Sequence, residues 1–158
     1  MSTYAQSKLV SPDGLSDLEI FKSILHEDLM SFIHYSFGVV APGKTFRPNW
    51  HLQAIAHKLS QVQRGECKRL IITMPPRNLK SICASVALPA FALGRDPTER
   101  IVCVSYSDQL AKTHANDFRR LVEDPIYQSV FPRMRVDPQE HRAGNHDNRA
   151  RQTHLDVH

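Results

Sequence analysis

A chain of 158 residues with 41% hydrophobic and 23% charged side chains can fold as one domain with a core, and this composition excludes a disordered chain. Lysine and arginine total 20 against 16 acidic residues, a formal charge of +4, which is compatible with a nucleic-acid partner but too small to indicate one. The isolated cysteines, Cys67, Cys83 and Cys103, predict reduced thiols rather than a disulfide framework. With no leader-like segment and no bilayer-length apolar run, the sequence predicts a soluble intracellular protein without a membrane partner.

The first half of the chain predicts two amphipathic helices after a polar N-terminal segment. Residues 1–15 are expected to form a mobile lead-in. The capping-box sequence at residues 16–19 starts a helix whose apolar side chains follow at helical spacing until Gly38 ends it. A second helix is predicted between a capping residue, Asn49, and a glycine stop, Gly65.

The second half predicts a strand, a buried helix and another strand. Residues 70–74 form a short apolar run, residues 80–93 read as a helix that is apolar on nearly all sides, and residues 101–106 read as a fully buried strand. This order is typical of a right-handed parallel crossover. A helix over residues 107–123 and a short apolar turn at residues 127–132 follow. The pattern therefore predicts an α/β protein.

A phosphate-binding loop is predicted where the first strand meets the buried helix, in the segment Met74-Pro75-Pro76-Arg77-Asn78-Leu79-Lys80-Ser81. Such a loop directs backbone N–H groups at one point, while lysine supplies a charge for the outer phosphates and serine a hydroxyl for Mg²⁺. The regular pattern G-x-x-x-x-G-K-[ST] has glycines where this chain has Met74 and Leu79. The prolines can rigidify the turn instead, and Arg77 can add a fork-shaped donor. An ordinary connection with an exposed lysine is the alternative.

An aromatic ring and an amide, those of Trp50 and Gln53, lie at the start of the second predicted helix. A ring for stacking and an amide for hydrogen bonding are what recognition of an adenine base requires. The alternative, which composition favours, is that Trp50 anchors the core and Gln53 is exposed.

With these pieces placed, the sequence resembles the large terminase subunit of tailed bacteriophages, the ATP-driven motor that packages viral DNA. The resemblance spans about residues 46–135, and it is carried by Trp50-His51, Gly65 through Ser81, Pro89, Leu93-Gly94, Pro97, Ser105-Tyr106-Ser107, Leu110-Ala111, Arg119-Arg120-Leu121 and Tyr127 to Pro132. It implies a P-loop NTPase-like three-layer α/β sandwich with a parallel sheet, truncated here, with residues 16–138 as the N-terminal portion of the ATPase domain. Proline-proline-arginine before lysine-serine is a common variant of the family's loop, although Leu79 stands where a glycine is usual.

The resemblance also implies ligands and partners. Lys80 would bind the outer phosphates of ATP, Ser81 the Mg²⁺ and Arg77 the γ-phosphate, with the remaining loop residues around them and with Trp50 and Gln53 at the base. The partners would be double-stranded viral DNA, the small terminase subunit and the portal, in the cytoplasm of a bacterial host, and the intact protein could form a homo-oligomer.

Two parts of the intact family are missing from the sequence. No apolar run ending in two acidic residues follows Ser81, although an ATPase of this class needs one carboxylate for Mg²⁺ and another that orients the attacking water. The clustered carboxylates of a two-metal nuclease domain are also missing. The chain is therefore expected to bind nucleotide weakly and to hydrolyse almost none.

The last twenty residues differ in composition from the rest. Residues 139–158 contain four of the nine histidines, at a spacing that matches no compact metal site. A frameshift fits better, because codons read one base later give only Ile, Thr or Met at four successive positions from Asn145 to Arg149, which favours a strand. Two rival interpretations of the whole chain stay open: a non-catalytic module that binds DNA or protein through its basic surface, and a decaying gene product.

Overall fold

The computed structural model describes residues 16–76 and 78–134, and the helices in these ranges pack around one core. In chain order they are α1 (Asp17–Glu27), α2 (Leu29–Val40), α3 (Trp50–Gln63), a π-helical segment (Ile82–Ala87) that continues into α4 (Leu88–Arg95), α5 (Asp108–Val122) and α6 (Pro125–Val130). None of these described residues belongs to a β-strand, so the predicted three-layer α/β sandwich with a parallel sheet is wrong. No described helix is both long and apolar enough to traverse a bilayer. The predictions for residues 1–15, Arg77 and residues 139–158 lie outside the described residues.

The two segments predicted as buried strands are irregular and unpaired. In the first segment Leu70 and Ile72 pack against the helical core, whereas Ile71 is 90% exposed. In the second, Ile101 packs against the core, and the next three residues, Val102, Cys103 and Val104, are exposed. Among the described residues, no hydrogen bond between two backbone groups joins either segment to the other or to the rest of the chain. A sheet needs paired strands to satisfy its backbone groups and to cover its outer face. Both predicted strands are therefore wrong, and so is the predicted full burial of residues 101–106.

The helix predicted from residue 16 is in fact two helices. Its start is confirmed, because the Ser16 hydroxyl accepts from the N–H of Glu19 and the Glu19 carboxylate accepts from the N–H of Ser16. The break comes at Asp28, whose backbone is extended and whose carboxylate accepts from the N–H of Ser31 at 2.7 Å, capping α2. Aspartate favours such caps because its side chain competes with the helix for nearby backbone donors. Helix α2 then continues past Gly38, the predicted end.

Helix α3 begins and ends close to the predicted residues. The Asn49 side chain accepts from the N–H of Trp50 at 2.8 Å and caps the first turn. Gly65, just after the helix, has a φ of +75°, a backbone conformation that glycine adopts without strain. The helix packs against α2, the π-helical segment and α4, so its apolar side faces the core.

The buried helix after the loop begins as a π-helical segment because of Pro89. Proline has no N–H, and its ring would clash with the carbonyl four residues earlier, that of Ser85. A wider π turn immediately before the proline avoids this clash. The Ser85 carbonyl instead lies 3.9 Å from the thiol of Cys103 in the second extended segment. The predicted deep burial is confirmed, and burial raises the pKa of the Cys83 thiol to about 11.

An aromatic cluster forms the centre of the core. The ring of Phe32 in α2 lies 5.4 Å from that of Phe91 in α4, 6.1 Å from Tyr127 in α6 and 5.7 Å from Phe131. The buried Tyr127 hydroxyl donates to the carbonyl of Ala90 at 2.8 Å. These contacts join α2, α4 and α6, whose residues are far apart in the sequence.

Helix α6 occupies the position of the predicted short apolar turn. Asp124 caps it, accepting from the N–H of Ile126 at 2.9 Å, and Pro125 takes the first helical position, where its missing N–H costs nothing. Phe131, directly after α6, packs so closely on α4 that a Cβ at Gly94 would lie 2.6 Å from its ring. Gly94 is thus required by the close approach of a ring, and α4 continues one residue beyond it.

Candidate phosphate-binding loop

The predicted loop lies between the first extended segment and the π-helical segment, and Lys80 folds back across it. The partly buried Lys80 ammonium donates to the carbonyl of Met74 at 2.8 Å. The Asn78 amide donates to the carbonyl of Pro75 at 3.1 Å and to that of Pro76 at 3.5 Å. These side-chain bonds join the end of the loop to its beginning. Lys80 is therefore not the freely exposed lysine of an ordinary connection.

Leu79 adopts the left-handed backbone that glycine favours, with a φ of +58°. The regular phosphate-loop pattern has a glycine at this position, and glycine adopts such a backbone without strain. A side chain with a Cβ costs about 1–2 kcal/mol in this region. Strain of this kind persists only where the surrounding structure imposes it, and it is common at ligand sites. Here the partly buried Leu79 side chain packs against the core and offsets part of the cost.

Lys80 and Ser81 form the first helical turn after Leu79. The N–H groups of a first turn have no acceptor within the helix, and the positive end of the helix dipole lies there. Ser81 makes no side-chain capping bond. A phosphate at this position would meet backbone donors, an ammonium group and a serine hydroxyl together.

The same residues are compatible with Mg²⁺. This ion keeps several waters and is bound largely through the phosphates of a nucleotide, so one hydroxyl, that of Ser81, is an adequate protein contribution. Within residues 16–76 and 78–134, no group of three or more His, Cys, Asp or Glu side chains could hold a metal without a nucleotide.

Trp50 and Gln53 lie on the exposed side of α3. Trp50 is 76% exposed, so its interpretation as a core anchor is wrong, and Gln53 is exposed as that alternative expected. The indole meets the imidazole of His51, with ring centroids 6.2 Å apart. Among the described residues, no hydrogen bond or ring contact joins Trp50 or Gln53 to the loop. The predicted base residues and the predicted phosphate loop therefore do not contact each other directly.

The two aspartates near the second extended segment make local bonds. Asp96 accepts from the Thr98 hydroxyl at 2.6 Å and from the Thr98 N–H at 3.0 Å, and these hydrogen bonds lower the pKa of its carboxyl group. Asp108 pairs with Lys112 at 2.8 Å, one helical turn along α5. Both carboxylates therefore bond to neighbouring residues at a helix end, Asp96 just after α4 and Asp108 at the start of α5.

A basic segment, residues 41–69, includes all of α3 and the chain on either side of it. Its exposed cationic side chains are Lys44, Arg47, Lys58, Arg64, Lys68 and Arg69. Glu66 is the only acidic residue in this range, and it pairs with Arg64 at 2.6 Å. The segment therefore carries a local positive charge much denser than the +4 of the whole chain indicates.

A polar contact between α2 and α6 was not predictable from the sequence. The Tyr35 hydroxyl donates to the Asp124 carboxylate and accepts from the N–H of Tyr127 at 3.1 Å. Burial and the Asp124 hydrogen bond raise the pKa of Tyr35. The two side chains are 89 positions apart, so no local pattern could pair them. They border a surface groove of about 570 Å³ whose lining includes Phe21, Ile24 and Phe46.

Neither a protein-family model nor a curated protein nor a solved structure matches this chain. The resemblance to the large terminase subunit therefore stays a prediction from the sequence. The loop and the positive charges around α3 are therefore the features that indicate a function.

Proposed function

We propose that the chain binds ATP through residues 75–81 and that it is the N-terminal part of a large terminase subunit of a tailed bacteriophage. The observation that carries the first half of this proposal is the left-handed backbone of Leu79, at the position where the phosphate-loop pattern has a glycine. The second half is supported by the sequence resemblance over about residues 46–135. In the intact protein, ATP hydrolysis would drive translocation of double-stranded DNA.

Lys80 is the central residue of the proposed site. Its ammonium is held over the loop by the neutral carbonyl of Met74. Phosphate oxygens are charged acceptors and form stronger hydrogen bonds, so the ammonium would exchange one for the other when nucleotide binds. Ser81 would complete the coordination of the Mg²⁺ that arrives with the nucleotide, and Arg77 would contact the γ-phosphate as the resemblance implies.

Binding is proposed without turnover. Phosphoryl transfer in this class depends on a carboxylate that orients the attacking water. The sequence contains no acidic strand end after Ser81 that would supply it, and Asp96 and Asp108 have local partners. The chain should therefore hold ATP and release it unchanged.

Isothermal titration of the purified chain with Mg-ATP tests this function. We expect micromolar binding that Lys80→Ala abolishes, because the substitution removes the only side-chain cation of residues 78–81. Lys68→Ala is the matched control, since Lys68 is an exposed lysine before the loop, and it should leave the affinity unchanged. No binding by the unmodified chain, or equal binding by Lys80→Ala, would refute a working phosphate loop.

A second candidate function, a non-catalytic module that binds DNA, is favoured by the basic segment and the exposed Trp50. Because residues 41–69 contain one acidic residue, Glu66, most cations of this segment are available to bind DNA phosphates, and an exposed indole can stack on a base. Replacing both Lys58 and Arg69 by alanine should weaken DNA binding and reduce its salt dependence, while Lys112→Ala on α5 should not. DNA affinity that is independent of salt would contradict this function.

A further inference from the structure

The outer face of α3, which carries Trp50, His57 and Arg64, points away from the core. Seven residues make almost two turns of a helix, so these three side chains lie one above the other, and all three are exposed. The row runs about 21 Å along the helix axis. The opposite side of α3 is buried through Leu52, Ile55, Ala56 and Leu59.

This outer face combines a large aromatic ring with positive charge. The Trp50 indole is 76% exposed at the first residue of α3, and Lys58 and Arg64 are exposed further along the same helix. None of the fourteen residues of α3 is acidic. An aromatic ring next to cations, with no carboxylate on the same helix, is complementary to an anionic partner that also has flat rings.

The two cations can exchange their present partners for phosphates. The Lys58 ammonium donates to the Gln61 amide oxygen at 3.0 Å, so its charge is not neutralised. Arg64 pairs with Glu66 at 2.6 Å, but both side chains are about half exposed, and exposed pairs of this kind contribute little. Phosphate oxygens accept bidentate hydrogen bonds from an arginine and bind it more strongly than neutral acceptors do.

An unpaired strand of DNA is the form of DNA that would use both features. Inside a duplex the faces of a base are covered by its stacked neighbours, and an enzyme that needs such a base has to flip it out. A single strand presents base faces and phosphates together, and proteins bind it by stacking bases on aromatic side chains beside a positively charged surface.

We propose that the outer face of α3 binds single-stranded DNA, with Trp50 stacked on a base and with Lys58 and Arg64 on the phosphates. This inference rests on the DNA-binding function proposed above and adds to it the form of DNA that is bound. It assigns to Trp50 a role that needs no contact with the phosphate-binding loop.

Quenching of tryptophan fluorescence tests the proposal on the full chain without nucleotide. Trp50 is the only tryptophan in the sequence, so the signal reports on this ring alone. A short single-stranded oligothymidine should quench it, whereas a duplex of the same length should bind more weakly and quench it less. Anisotropy of end-labelled DNA gives both affinities independently of the indole.

Substitution of Trp50 separates stacking from charge. Trp50→Ala should weaken binding of the oligothymidine about fivefold or more, Trp50→Phe should restore part of the loss, and neither should change the duplex affinity. Tyr106→Ala is the matched control, because Tyr106 is an aromatic residue with 96% exposure outside α3, and it should leave both affinities unchanged. Circular dichroism verifies that each variant keeps its helices.

The outcomes distinguish this inference from the function on which it rests. Binding of neither form of DNA would refute both. Equal affinity for single strand and duplex, tighter binding of the corresponding oligouridine, or a Trp50→Ala variant that binds oligothymidine as well as the unmodified chain would overturn the single-strand inference and leave the DNA-binding function standing.

Discussion

The left-handed backbone at Leu79 predicts that glycine at this position gives a more stable protein than alanine. Both substitutions remove the same leucine contacts with the core, which should lower the free energy of unfolding by about 1 kcal/mol because Leu79 is only partly buried. Alanine keeps a Cβ that costs about 1–2 kcal/mol at a φ of +58°, whereas glycine loses about 0.5–1 kcal/mol more backbone entropy on folding. The glycine variant should therefore exceed the alanine variant by about 0.5–1 kcal/mol.

Urea denaturation followed by far-ultraviolet circular dichroism measures this difference, because the described fold is helical. Leu88 supplies the matched control: it is also a partly buried leucine, but its backbone is right-handed, with φ −61° and ψ −49°. At Leu88 the order should reverse, and alanine should be more stable than glycine by about 0.5–1 kcal/mol. If alanine is the more stable residue at both positions, Leu79 is not left-handed and the main structural support for a phosphate loop is lost.

Three further predictions concern the core. Gly94→Ala should lower the free energy of unfolding, measured by urea denaturation, by about 1–3 kcal/mol, because the new Cβ would lie 2.6 Å from the Phe131 ring. Gly38→Ala is the control: its Cβ meets open space, so the substitution should raise the free energy of unfolding by about 0.5–1 kcal/mol. Equal effects of the two substitutions would contradict the packing of Phe131 on α4. Tyr127→Phe should lower the free energy of unfolding by about 1–3 kcal/mol, because it removes the hydroxyl that donates to the buried Ala90 carbonyl. An unchanged melting temperature would refute that hydrogen bond. The folded pKa of Cys83, about 11, lies above its ordinary value of 9.0, so the unfolded chain loses this proton first and the free energy of unfolding should fall as the pH rises from 9 to 11. Cys83→Val should flatten that slope, and an unaltered slope would assign the alkaline loss to other groups.

Helix ends were the most predictable part of the fold because a cap forms between residues that are adjacent in sequence. Ser16 and Asn49 cap their helices as predicted. The break at Asp28 was missed, since the apolar spacing continues across it and only the chain's change of direction shows that the carboxylate acts as a cap.

The absence of a sheet from the described residues could not be predicted, because a strand forms only where another strand pairs with it. Residues 70–74 and 101–106 were predicted as buried strands because both are apolar runs. Apolar residues in these runs were interpreted as a sign of burial between helices and neighbouring strands, but within residues 16–76 and 78–134 no strand pairs with either segment. Whether an apolar run is covered depends on residues far away in the chain or on another molecule.

The sequence places the candidate loop at residues 74–81 but does not determine its conformation. The lysine-serine pair marks the candidate loop, and Leu79, a departure from the usual glycine, has a left-handed backbone that the sequence did not predict. The bond from Lys80 to Met74 depends on how the loop folds, which spacing alone does not determine. The burial of Trp50 was predicted wrongly. Tryptophan is highly buried on average, so composition favoured a core position, but the Trp50 indole is exposed.

Hydrogen–deuterium exchange of the loop is the most direct test of the claim that residues 75–81 bind phosphate. Mg-ATP and Mg-bound inorganic triphosphate should both slow exchange in a peptide covering residues 74–83, because the ligand occupies the N–H groups of the first helical turn, whereas AMP should not. The protection should disappear in Lys80→Ala. Protection by none of these ligands, or protection confined to α3 around Trp50, would contradict the account.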